Sequence, residues 1–268
     1  MKRTISFMTG KGSVNHNSRK FHAKNTDPER SYLNVEYCNE NIKDVYHELF
    51  DEALVRYNEK QTRNDRRIDD YYEKIRSGKQ EKPFHEIILQ IGDRETMGAE
   101  TEEGRLAAKI LDEYMQDFQR RNPTLRVFSA HLHMDEATPH LHIDFVPYTT
   151  GSKRGLDTRV SLKQALTALG FKGGTRQETE LNQWVAAEKE QLAAVHEMRS
   201  DERRAQTEAA REQLQAKLDE LQRRFDERAA ALGRTRKSLL RGNPTARSER
   251  YTEVLERLKK RLDTHTHR

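Results

Sequence analysis

The stretch HLHMDEATPHLHIDFVP, His131 to Pro147, constrains this chain more than any other. It reads as parts of two strand-like runs, Arg126 to Met134 and His140 to Pro147, joined by a short acidic link that contains Pro139. Successive side chains of a strand alternate faces, so His140 and His142 share one face while Leu141, Ile143 and Phe145 take the other. The apolar face belongs to a core, and the histidine face is expected to look outward onto a polar site. A hairpin turning through Asp135 to Pro139 brings His133 of the preceding strand alongside the pair.

Three imidazoles that converge with open coordination positions make a divalent-metal site. A carboxylate on the link, Glu136 or Asp135, is placed to complete the shell or orient a ligand. Nitrogen and oxygen donors without a thiolate admit manganese, magnesium or zinc, which the donor set alone does not rank, and the expected cofactor is a divalent metal ion. A set of solvated surface histidines is the plain alternative, which three histidines and two carboxylates on one hairpin disfavour. Helix-borne zinc-protease chemistry is excluded because no H-E-x-x-H occurs, and deaminase chemistry because the only cysteine is Cys38. That single cysteine also rules out a disulfide framework and fits a reducing cytoplasm.

The rest of the chain supplies layers for this hairpin. Thr4 to Met8 alternates as a half-buried strand and is followed by the polar, glycine-bearing GKGSVNHNSRKF. Helical spacing from Ile42 to Tyr57, a strand-length apolar run from Phe84 to Ile91, and a helical face from Glu102 to Gln119 lead into the hairpin. Helices are also expected in the charged stretch from Gln61 to Gln80. The resulting order β, α, β, α, β, β predicts an α+β domain, an antiparallel or mixed sheet with helices packed on it, over residues 1–160. Residues 161–175 are expected as a linker and 176–268 as a charged, mostly α-helical C-terminal region. Only 34% of the chain is hydrophobic and 35% is charged, so part of it is expected outside any core. From Arg176 to Arg241 there are 14 Lys and Arg against 13 Asp and Glu and no proline. Leu181, Val185, Leu192 and Val195, then Leu214, Leu218, Leu221, Phe225 and Leu232, give heptad-like spacing there, interrupted by Arg204, Thr207 and Arg211, leaving a coiled coil, an arm on another chain and a solvated helix all open. Gly242 to Pro244 is expected to break the helix before a last one carrying Tyr251, Val254, Leu255, Leu258 and Leu262. No run approaches the length of a membrane span or a signal peptide, so a cytoplasmic protein is expected.

His133 to His142, HMDEATPHLH, resembles the third motif of the plasmid mobilisation and recombination relaxases, the Mob/Pre family of histidine relaxases within the HUH endonucleases. All seven specified positions of H-x-D-E-x-T-P-H-x-H match. The first motif, H-N-x-R after an N-terminal strand, is matched by His16, Asn17, Ser18 and Arg19, and the second only in part, by Asn34, Val35, Glu36 and Tyr37. The resemblance covers residues 1–160. It implies an HUH-type antiparallel sheet of five strands flanked by helices, and an enzyme that nicks one DNA strand at an origin of transfer and stays attached to the 5′ phosphate. Carried over, His133, His140 and His142 become metal ligands, Glu136 lies at or near the metal, and His16 becomes the nucleophile.

A neutral imidazole attacks phosphorus without a strong base, while Arg19 is expected to clamp a phosphate oxygen. Tyr32, Tyr37, Tyr71 and Tyr72 are the rival nucleophiles, because other HUH enzymes use tyrosine. DNA holding is expected from Lys2, Arg3, Lys11, Lys20 and Lys24 and from Arg63, Arg66 and Arg67. The expected partner is DNA, single-stranded or in a hairpin at the origin, and the C-terminal helices suit a homodimer or conjugation-machinery contact. A non-catalytic DNA-binding or replication-accessory protein with structural histidines is the competing reading, and a hydrolytic metal nuclease is a third.

Overall fold

The computed structural model describes residues 4–238, 252–257 and 260. The chain divides into two compact units, Met1–His196 and Glu197–Arg268. The first unit is built on six strands: β1 (Ile5–Thr9), β2 (Val35–Asn39), β3 (His85–Ile91), β4 (Leu125–His133), β5 (His140–Thr149) and β6 (Arg159–Val160). They run in the order β1-β3-β5-β4-β2, with β6 added to the end of β5, and every pairing is antiparallel. The helices are α1 (Val14–Asn17), α2 (Ile42–Glu59), α3 (Tyr71–Ser77), α4 (Glu102–Arg121), α5 (Leu162–Ala168) and α6 (Glu180–Ser238).

Alternation along the three central strands sorts the two faces. Ile87, Leu89, Ile91, Ala130, Leu132, Leu141, Ile143 and Phe145 pack in one cluster with Ile110, Leu111, Tyr114 and Phe118 of α4. The amphipathic pattern of α4 explains that contact, and Thr101 caps the helix by accepting from the Gly104 amide at 3.0 Å. The opposite face is divided. Towards one end Phe128 and Val146 are covered by Val45, Tyr46 and Phe50 of α2 and Tyr71 of α3. Towards the hairpin end the same face carries Glu86, His131, His133, His140, His142 and Asp144.

Three features depart from the sequence reading. β2, in the motif-like segment at Val35, is a strand, paired to β4 with a bulge between Glu36 and Cys38. Residues 161–175 contain α5, whose Ala165 and Leu166 are fully buried in the main core, and Trp184 and Leu192 of α6 join the same cluster. The compact unit therefore runs to His196, because the apolar residues of a segment that looked like a linker and tail close one side of the core. The histidine face is not open: His131, His133, His140 and His142 are 4%, 0%, 9% and 5% exposed.

In the second unit Leu218 and Leu255 are buried, Leu214, Leu221 and Phe225 are half-buried, and residues 252–257 are helical. Lys2, Arg3, the Gly242–Pro244 break, Tyr251, Leu258 and Leu262 lie outside the described residues, as does the side chain of Leu232. No helix among the described residues is long and apolar enough to cross a membrane.

Candidate active site

The β4–β5 register sets His133 opposite His140 and His131 opposite His142, which puts four imidazoles on one face. Three of them have one ring nitrogen fixed by an acceptor. His140 Nδ1 donates to the Thr138 carbonyl at 2.8 Å, His133 Nε2 to the Asn17 carbonyl at 2.8 Å, and His142 Nδ1 to the Glu86 carboxylate at 2.7 Å. In a neutral ring the other nitrogen then holds a lone pair. His133 Nδ1 and His140 Nε2 lie 3.3 Å apart, and His142 Nε2 is buried without a hydrogen-bond partner. One ligand atom from each of the three residues falls within 4.8 Å of the others. Burial and the His142 charge hold the His140 imidazole down at about 4, and the same causes lower His133 further. Converging, desolvated lone pairs repel one another unless a cation sits among them, so this donor set fits a divalent ion.

The N-terminal segment lies over this face. Just past the end of its short helix α1, Arg19 turns back with φ 52°, and the guanidinium reaches the hairpin link. Arg19 donates through Nε and Nη2 to the two oxygens of Asp135, at 2.9 and 2.5 Å, and through Nη2 to Glu136 at 2.9 Å. Its Nη1 stands 3.2 Å from His16 Nε2. The fork expected to clamp a phosphate is thus engaged on Asp135, because that carboxylate is fully buried and takes further donors from Ser31 and Asn34 at 2.9 and 2.7 Å. Burial alone would raise the Asp135 carboxyl, but these donors outweigh it and hold it well below the usual range.

His16 faces the cluster. Its ring centroid is 6.0 Å from that of His133 and 6.2 Å from that of His142, and its Nε2 is 3.5 Å from Glu136 Oε1. Burial, then the Arg19 charge, lower its pKa below the usual histidine value, which favours the neutral ring. Glu136 Oε1 also lies 3.8 Å from His140 Nε2, and Oε2 accepts from Asn25 at 2.6 Å. His16, His133 and Glu136 form a second group with metal-binding spacing.

Of the rival tyrosines, Tyr37 donates to Asp112 of α4 at 2.7 Å and Tyr71 is buried under Val160, whose amide it accepts. Tyr72 packs beside Tyr46 on α2, and Tyr32 is exposed. Lys11, Lys20 and Lys24 are exposed on the segment that bears His16, and no ion pair engages them among the described residues. Arg63, Arg66 and Arg67 are exposed beyond α2, and Arg63 is bound bidentately by Asp65 at 2.9 and 2.6 Å. Sequence reasoning missed Glu86 and Asp144, and gave Asn17 no role beyond its place in the first motif. Asn17 donates to both carboxylates, Glu86 at 2.8 Å and Asp144 at 3.0 Å, and burial followed by the Glu86 charge pushes Asp144 up to about 6. A carboxylate on the outward phase of FHEIILQI was the available signal for Glu86.

No curated protein matches the chain. Among solved structures, the MobM relaxase domain (MOBV; Mob_Pre) bound to a 22-nucleotide plasmid pMV158 oriT DNA, in a Mn-bound crystal structure at pH 5.5, is 20% identical. The TM-score is 0.37, over 66% of this chain and 79% of that one. The same domain with a 23-nucleotide oriT DNA, Mn-bound at pH 6.5, is 24% identical with a TM-score of 0.34, over 60% and 73%. The family described as the plasmid recombination enzyme, Mob_Pre, matches residues 35–192, more than half of the chain. That span holds the whole histidine hairpin, while His16 to Arg19 precede it. By that match the chain belongs to the Mob_Pre family of plasmid recombination enzymes, the Mob/Pre relaxases.

Proposed function

We propose that this chain nicks one DNA strand at an origin of transfer by transesterification, with His16 as the nucleophile and His133, His140 and His142 as the ligands of a divalent metal. The observation that carries the reading is the placement of His16 beside Arg19 and Glu136, its ring 6.0 and 6.2 Å from two of the candidate ligands. A metal bound there would supply positive charge to the non-bridging oxygens of the scissile phosphate. Arg19 Nη1 directs its donor at Nε2, which keeps the lone pair on that nitrogen and the proton on Nδ1. In the reaction a P–N bond forms to Nε2 as the P–O3′ bond breaks. The departing 3′ oxygen ends as a hydroxyl, and its proton is balanced by the one the imidazole releases from Nδ1. The product is a histidine phosphoramidate on the 5′ phosphate. Lys11, Lys20 and Lys24 hold the flanking phosphates, and action on plasmid DNA places the protein in the cytoplasm.

End-labelled origin DNA retained on the denatured protein tests this directly. The expected adduct is lost in acid and survives alkali, since protonation turns the imidazole into a leaving group, and it is absent in His16→Ala. An acid-stable adduct would move the nucleophile to a tyrosine, Tyr32 being the exposed one. Chelator-sensitive cleavage without any adduct would make the protein a hydrolytic nuclease, and binding without cleavage a non-catalytic one.

A further inference from the structure

We infer that Glu86 is the positioning residue that couples the seating of the His16 segment to the metal ligand His142, an inference that rests on the metal-centre reading above. Glu86 sits on β3, is 5% exposed, and spends both carboxylate oxygens on donors from two different parts of the chain. Oε1 accepts from His142 Nδ1 at 2.7 Å and from Asn17 Nδ2 at 2.8 Å, and Oε2 accepts from the Gly12 amide at 2.7 Å. One partner is a candidate metal ligand, and the other two bracket α1, which carries His16.

The glycines in TGKGSV are what let the segment lie this close. A Cβ at Gly10 would stand 1.8 Å from Glu86 Oε2, and Gly12 has φ +75° with Phe84 2.7 Å from where its Cβ would be. The Gly10 amide also donates to the Glu86 carbonyl at 3.0 Å, so the loop is stitched to both the backbone and the side chain of one residue. A carboxylate accepting from the distal nitrogen of a metal-bound imidazole orients the ring and makes its ligating nitrogen more basic. Because the same carboxylate anchors the loop, metal binding and loop order are linked, and the linkage acts equally in both directions. Metal at His142 tightens the hold of Glu86 on Gly12 and Asn17, and loosening the loop weakens the metal.

The measurements are Mn²⁺ affinity by titration calorimetry and hydrogen exchange at the amides of residues 12–20, with and without saturating Mn²⁺. Wild-type protein should bind Mn²⁺ and show slowed exchange in that segment when loaded. Glu86→Gln, which keeps the shape and one acceptor, should lose about 10-fold in affinity and Glu86→Ala about 100-fold. Both should lack the Mn²⁺-dependent slowing even when saturated, and the metal-free melting temperature of Glu86→Gln reports whether its fold is intact. Gly10→Ala, which alters no ligand, should weaken Mn²⁺ in the same direction by displacing the carboxylate. Wild-type affinity and wild-type slowing in Glu86→Gln would overturn the coupling and leave the metal centre standing. A wild-type protein that takes up no Mn²⁺ would overturn both.

Discussion

Arg19 holds a left-handed backbone that costs an L residue about 1–2 kcal/mol, and its side chain shows why it stays there. The turn aims one guanidinium at Asp135, Glu136 and His16 together, so the strain goes into fixing His16, the proposed nucleophile, against the hairpin link. Arg19→Gln should therefore change the chemistry as well as the contacts. After burial, the Arg19 charge is the main cause of the lowered His16 pKa, and removing it lets that pKa rise. If the neutral ring is the nucleophile, as proposed, the acid limb of the nicking rate should move to higher pH in Arg19→Gln, measured at saturating metal; an unmoved limb would count against His16. Asp144 gives a second test with a definite sign. Its folded pKa of about 6 exceeds the unfolded 3.8, so its ionised form destabilises the fold above pH 6 and this penalty vanishes as pH falls below 3.8. Its Oδ1 is buried without a partner, so no hydrogen bond is lost when an uncharged amide replaces that oxygen. Asp144→Asn should raise metal-free stability at pH 8, by about 3 kcal/mol at most, and give no gain near pH 4, as read by denaturant unfolding at the two pH values.

At the level of elements, the histidine hairpin was legible because strand alternation converts spacing directly into faces. What the spacing could not reveal was the cover. The histidine face is buried because a glycine-bearing segment more than a hundred residues earlier in the chain folds over it, and such an approach leaves no periodic trace. β2 escaped for a different reason: Val35, Tyr37 and Cys38 straddle a bulge, which breaks the alternation by which a strand is read. The start of α6 was legible as helix, but its docking on the core was not, because its few apolar residues are diluted by charge. Those few matter most to the core. Trp184 is fully buried, its indole donates to Asn122 at 2.8 Å, and the neighbouring Glu188 takes donors from Tyr114, Arg121 and Asn122. Trp184→Ala should cost about 3–5 kcal/mol. A chain ended after Gly174 should fail to fold, whereas one ended after His196 should retain a cooperative melt; a folded, nicking protein ending at Gly174 would show the α6 anchor to be dispensable.

Over the whole molecule the net charge of +5 says little, because opposite charges pair and cancel locally. Between Arg176 and Arg241 the 14 cationic side chains face 13 anionic ones, and at physiological salt such a mixture presents almost no field beyond about 8 Å. Arg63 is neutralised in the same way by Asp65. Among the described residues Lys11, Lys20 and Lys24 have no ion pair and are exposed on the segment that carries His16. Binding of single-stranded DNA releases about 0.7 counterion per phosphate neutralised, so each lysine in contact adds that much to the slope of log affinity against log salt. Replacing all three by Ala should lower the slope by about 2, while Arg63→Ala should leave it unchanged. A chain ended after His196 should keep the full-length slope, because the balanced helical region contributes no net phosphate contact. Fluorescence anisotropy of labelled origin DNA over a range of salt reads all four proteins. A slope that falls on removing residues 197–268 but not on removing the lysines would transfer DNA holding from the histidine site to the C-terminal unit.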